Sequence, residues 1–186
     1  MENLESNRKV KVILIMAMTL DGKIARHSME PVDWTGSADK KKFVEITKKA
    51  GAVIMGSTTF ETIGKHLKGR KNIVMTRFPS RMINKISGDK SIDCNAIEFT
   101  DKTPSQILNS LQSEGFDSVA LIGGSTINTL FAVENLIDEI YITFVPKLFG
   151  NGLPLLSGEL DINLELSQVD KLDNNSILLK YNVIKQ

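Results

Sequence analysis

The chain has 186 residues, 41% hydrophobic and 24% charged, with 23 basic against 22 acidic side chains and a formal net charge of +1. That suits one soluble globular domain with a sizeable core, and it gives no reason to expect nucleic acid or an anionic membrane as a partner. Cys94 is the only cysteine, which excludes an intramolecular disulfide and multi-cysteine zinc sites and favours a reducing cytoplasm; no metal site is expected.

Met1 to Lys9 is polar and reads as a flexible tail rather than a signal peptide, leaving residues 10–186 as a single domain. Val10 to Met18 is rich in β-branched and apolar residues and stops at Leu20-Asp21-Gly22, which predicts a strand and a loop. Its apolar run is too short to span a bilayer. Ser37 or Asp39 starts a helix to about Lys49, with Phe43, Ile46 and Ala50 on one face, and Gly51 ends it. Ala52 to Met55 reads as a short buried strand, followed by a helix over Ser57 to Ile63. Asn72 to Thr76 is a further strand, stopped by Pro79; residues 80–103 suggest two short strands, around Ile92 and Ile97. Pro104 suits the first turn of a helix running to about Ser113. A strand over Ser118 to Ile122, a helix over Ser125 to Asn135 and a strand over Glu139 to Phe144 follow. Two alternating strands, Leu164 to Val169 and Ile177 to Val183, close the chain.

Strands alternating with helices predict a mostly parallel sheet covered on both faces. The last two strands have no helix between them and predict an antiparallel hairpin at one edge. Ligands bind such sheets where strand ends meet helix starts, so the loops after Met18, Met55, Thr76 and Ile122 are the places to search. Two of them, Gly56-Ser57-Thr58-Thr59 and Gly123-Gly124-Ser125-Thr126, put glycine at a strand-to-helix junction. Free N–H groups, the helix dipole, a bare backbone and hydroxyls together suit phosphate, and two such junctions could hold a pyrophosphate from both sides. Glycine and serine are also ordinary helix-start residues, and for either junction alone that reading is favoured.

No GxGxxG occurs, and Arg70-Lys71 follows Gly64 to Gly69 where a Walker loop needs Lys-Ser/Thr. The zinc-deaminase signature is missing. His27 and His66 lie outside any triad context and read as surface or loop histidines. Asp39 stands near Trp34 and one turn before Phe43. A carboxylate beside an aromatic and an apolar face suits the amino edge of a flat, nitrogen-rich ring. It equally suits a helix dipole, and spacing alone favours the dipole.

Trp34, Asp39, Phe43 and Thr47 have the order and spacing of the substrate helix of dihydrofolate reductases, and Val53 through Val74 closely resembles their central signature without gaps. Ile122-Gly123-Gly124 resembles their second cofactor loop, and Ile140 to Thr143 the strand that follows. Met18 to Ala25 and Val145 to Gly150 look more like the reductase domain of riboflavin biosynthesis, a sister family in the dihydrofolate reductase superfamily. The resemblance implies a three-layer α/β/α fold with a mostly parallel sheet and an antiparallel C-terminal hairpin. It also implies NADPH as cofactor and, around Pro146 to Leu156, a homodimer.

Roles follow from the resemblance residue by residue. Asp39 anchors the amino-pyrimidine edge and supports proton delivery, and Thr143 hydrogen-bonds to Asp39. Trp34, Phe43 and Ile63 form the substrate pocket, and Arg70 pairs with the glutamate-tail carboxylate. Ala17 and Ile122 flank the nicotinamide. Gly56, Ser57, Thr58 and Gly123 belong to the cofactor site, Thr59, Gly124, Ser125 and Thr126 hold the pyrophosphate, and Thr76 and Arg77 face the 2′-phosphate. The loop Thr19 to Pro31 is the natural lid.

The first expectation is reduction of dihydrofolate or a related pterin. The alternative is reduction of a ribosylaminopyrimidine phosphate, with Lys23 or Arg70 on its phosphate. A third is a nucleotide-binding homologue without turnover, motivated by Ser57 and Asn128, which stand where dihydrofolate reductases commonly carry arginine and tyrosine.

Overall fold

A computed structural model of the protein describes residues 10–89 and 92–185. The tail expected over residues 1–9 lies outside the described residues. The elements are β1 (Lys11–Thr19), β2 (Lys23–Ala25), α1 (Ser37–Ala50), β3 (Ala52–Gly56), α2 (Ser57–Ile63), β4 (Lys71–Met75), α3 (Pro79–Ile86) and β5 (Ile97–Thr100). After these come α4 (Pro104–Ser113), β6 (Ser118–Leu121), α5 (Ser125–Val133), β7 (Glu139–Val145), β8 (Leu153–Pro154), β9 (Leu164–Lys171) and β10 (Ile177–Val183).

Eight strands form one sheet in the order β5-β4-β3-β6-β1-β7-β10-β9. Strands β1 and β3 to β7 run parallel, and β10 returns antiparallel between β7 and β9. Side chains alternate between the two faces. Val12, Leu14, Ile54 and Leu121 pack with Ile107, Leu111 and Phe131 of α4 and α5. Ile15, Val53, Met55 and Ala120 pack on the other face with Ile46 of α1, Phe60 of α2 and Met82 of α3. Each large apolar side chain shut in this way contributes about 1.5–3 kcal/mol. The expected three-layer α/β fold and terminal hairpin are both present.

Two local expectations are corrected. Strand β4 ends at Met75, ahead of Pro79, and Pro79 instead opens α3, at a first-turn position where its missing N–H costs nothing. No strand is present around Ile92 among the described residues: the Ile92 N–H donates to the carbonyl of Asp89, and of this region Ile97–Thr100 pairs with β4. Pro104 does open α4, where Thr103 and Gln106 form a reciprocal capping box. The pairing of β2 with β8 adds a small second sheet.

Candidate active site

A cavity of about 1220 Å³ opens along the carboxyl ends of β1, β3, β4, β5 and β6, the place where such sheets bind ligands. It is large enough for a dinucleotide and a second molecule.

One half is built by the two glycine junctions. Strands β3 and β6 are neighbours, so the junctions meet: the Gly56 N–H donates to the Gly123 carbonyl at 2.8 Å. A Cβ on Gly56 would stand 2.9 Å from Ile127 Cγ1, closer than packed carbons approach. Gly123 has φ +89°, a conformation that suits glycine, and a Cβ there would press on Met16 Sδ at 3.2 Å. Helix α5 starts at Gly124 with no side-chain cap, leaving first-turn N–H groups free. Ser57, Thr58, Thr59, Gly124, Ser125 and Thr126 all line the cavity, as do Ala17, Gly56 and Ile122. Gly123 stays behind them as support. Thr76 and exposed Arg77 line the far end, after β4.

The other half is built by α1 and the loop before it. Asp39 is buried, lines the cavity, and its carboxylate has no hydrogen-bond or ion-pair partner among the described residues. Phe43, Ile63, Leu67 and Ile24 give that half its apolar walls. Buried Asn72 shapes the turn that carries Leu67: its amide accepts from the Leu67 N–H at 2.8 Å and donates to the carbonyls of Leu67 and Arg70.

Three expected contacts are placed differently. Thr143 is buried in β7 but does not line the cavity, and no hydrogen bond joins it to Asp39 among the described residues. Both side chains are short; one rises from the sheet and the other hangs from the first turn of α1. Trp34 also stays out of the cavity lining. It packs edge-on against Phe149, with ring centroids 5.1 Å apart, and Arg26 lies over the same Phe149 ring. Arg70 sits three residues past Leu67, outside the lining, where its guanidinium donates to Thr47 Oγ1 at 2.7 Å and to the Lys68 carbonyl at 3.2 Å. Partial burial lowers its pKa without discharging it at neutral pH.

The segment after β7 is a strap that sequence reasoning missed. Asp21 accepts from the N–H groups of Phe149 and Gly150. Strand β8 pairs with β2. Asn128 donates to the Leu155 carbonyl, and the Ser157 hydroxyl meets that of Ser125 at 2.9 Å. Leu153, Pro154 and Ser157 thereby join the cavity wall between the loop after β1 and α5. Thr35 and Lys102 also line the cavity. No periodicity or motif marks any of these, because each arrives through a long-range contact.

Among the described residues, no group of histidine, cysteine, aspartate and glutamate could hold a metal ion, and no helix is long and apolar enough to cross a membrane.

Comparisons with known proteins agree with this fold. The RibD C-terminal domain family model matches residues 10–178. A Caenorhabditis elegans relative provisionally named as a dihydrofolate reductase is 31% identical over 178 residues, covering 90% of this chain and 85% of its own. A type 8 dihydrofolate reductase of Escherichia coli is 31% identical over 142 residues, covering 75% of this chain and 77% of its own. Among solved structures, the diaminohydroxyphosphoribosylaminopyrimidine deaminase/5-amino-6-(5-phosphoribosylamino)uracil reductase of Thermotoga maritima superposes with a TM-score of 0.75 at 21% identity, over 95% of this chain and 57% of that longer one. With the family model spanning nearly all of the described fold, the chain belongs to the RibD C-terminal domain family and is an oxidoreductase of dihydrofolate reductase-like architecture.

Proposed function

We propose that the protein reduces dihydrofolate, or a closely related pterin, with NADPH. The observation that carries this reading is Asp39: a buried carboxylate without a partner among the described residues, in a half-cavity with the apolar walls of Phe43, Ile63, Leu67 and Ile24 that opens onto the paired glycine junctions. A carboxylate is an acceptor, and two N–H groups on one ring edge would satisfy it. Phe43 and Ile63 would hold the ring flat and exclude water, so that alignment rather than covalent chemistry is the protein's contribution. Asp39 would fix the ring and favour its protonated form.

The residues present fit NADPH. The backbone at Gly56 is bare where a side chain would clash, and α5 offers free N–H groups to a pyrophosphate. Thr59, Gly124, Ser125 and Thr126 would hold the phosphates, Ala17 and Ile122 would flank the nicotinamide, and Thr76 with Arg77 would face the 2′-phosphate. When bound, the cofactor supplies the hydride. The single exposed cysteine fits a reducing cytoplasm.

Reduction of a ribosylaminopyrimidine phosphate is the second reading, favoured by the RibD family match. It needs cations for the substrate phosphate. In the substrate half Lys40 lines the cavity, as does the acidic Glu30, whereas Lys23 does not line it. This balance favours the pterin. NADPH oxidation by the purified protein with each substrate decides between them: turnover of dihydrofolate alone supports the first reading, and turnover of the phosphorylated pyrimidine alone replaces it with the second.

A further inference from the structure

Among the described residues, three buried side-chain polar atoms lack a partner: Trp34 Nε1, Thr35 Oγ1 and Asn128 Oδ1. Of the three residues, only Thr35 lines the cavity, just before the helix whose first turn carries Asp39. A threonine just before a helix ordinarily serves as a cap. Here Gly36 is the N-cap, and no side chain caps α1. The Thr35 hydroxyl therefore has no structural use, although the residue is only 6% exposed. A buried hydroxyl without a partner is costly, and such groups persist where something else satisfies them. Rotation about χ1 carries Oγ1 between staggered positions, and the open side of this residue is the cavity.

We infer that Thr35 is a specificity-determining residue, whose hydroxyl donates to the ring oxo group of the substrate next to the N–H that Asp39 holds. The inference rests on the pterin reading above. An acceptor-only carboxylate beside a hydroxyl donor complements a lactam edge, in which an N–H adjoins a carbonyl. Neither group alone selects that edge. Together they would prefer it to a ring lacking the oxygen, because the unmatched hydroxyl would stay unsatisfied.

Thr35→Val keeps the shape and removes the hydroxyl, and Thr35→Ser keeps the hydroxyl. Binding is read by quenching of the fluorescence of the single tryptophan, using a pterin and its analogue lacking the ring oxygen, beside dihydrofolate turnover and thermal melting of the free protein. T35V is expected to weaken pterin binding and raise the KM for dihydrofolate by about 10-fold or more. It should leave binding of the oxygen-free analogue within about 2-fold and melting unchanged or raised, since no native bond is lost. T35S should restore pterin binding. Equal weakening for both ligands, or a lowered melting temperature with unchanged KM, overturns the assignment while leaving the dihydrofolate reading intact. Failure of the wild-type protein to turn over dihydrofolate overturns that reading, and the role of Thr35 with it.

Discussion

The carboxylate of Asp21 accepts the backbone N–H of Gly150 at 2.6 Å, fastening the loop after β1 to the strap after β7. The strap then carries Phe149 onto Trp34 and Ser157 onto Ser125, so one acidic side chain ties the loop after β1 to the segment that meets α5. Replacing Asp21 with Asn weakens the charged acceptor. Amide exchange at Phe149 and Gly150 should then speed up by about 10-fold or more, with the core strands unchanged.

The same bonds set a pH dependence. The Thr19 hydroxyl foremost, then the N–H groups of Phe149 and Gly150, hold the Asp21 carboxyl down at about 2, below its ordinary 3.8. A depressed carboxyl stabilises the fold above its unfolded value and loses that contribution as pH falls through its folded value. Protection of the two strap amides should therefore be flat across neutral pH and fall only from about pH 4 toward pH 2. Loss of protection near neutrality would show that another group holds the strap.

Gly56→Ala tests the junction of the two glycine loops. The new Cβ would meet Ile127 Cγ1 at 2.9 Å, in a segment with no exposed neighbour in β3. Overpacking of this kind costs about 1–3 kcal/mol, measurable by urea denaturation, and NADPH affinity should fall by about 10-fold or more as α5 is displaced. Unchanged affinity in the folded variant would place the phosphates elsewhere.

Arg77 is exposed at the cavity end after β4. Arg77→Leu should raise the KM for NADPH by about 10-fold while leaving NADH nearly unaffected, since a charge-assisted bond to the 2′-phosphate is lost with only one of them. Equal effects on both would remove the preference for NADPH from this residue.

Arg70 uses two of its donors on Thr47 and Lys68, leaving others for a carboxylate beyond Leu67. If a folate tail reaches it, Arg70→Leu should raise the KM for dihydrofolate about 10-fold more than for a tail-less pterin. Equal effects would leave Arg70 as a brace for α1.

Much of the fold was legible because local signals agreed with the final layers. Ala52 to Gly56 is wholly buried, as its apolar run suggests, and Gly51 and Pro104 mark helix ends where their chemistry predicts. Helix α3 was not legible: Pro79 reads equally as a strand stop and a helix start, and only packing of Met82 and Ile86 decides. Strands β2 and β8 are too short for any period to appear. At the site, the glycine junctions and Asp39 announce themselves through residue type and position. Trp34 is diverted by Phe149, which lies 115 residues further on, and the strap contacts of Ser157 likewise exist only after folding. Thr35 needs burial and the lack of a partner to be noticed, and neither is written in a sequence.

The most direct test is dihydrofolate-dependent NADPH oxidation by the wild-type protein and its Asp39→Asn variant. Turnover by the wild type that falls by about 100-fold or more in the variant, with NADPH binding retained, is the expected result. Dihydrofolate turnover that survives the loss of the Asp39 charge would contradict the role given to that carboxylate, and with it the pterin reading of the cavity.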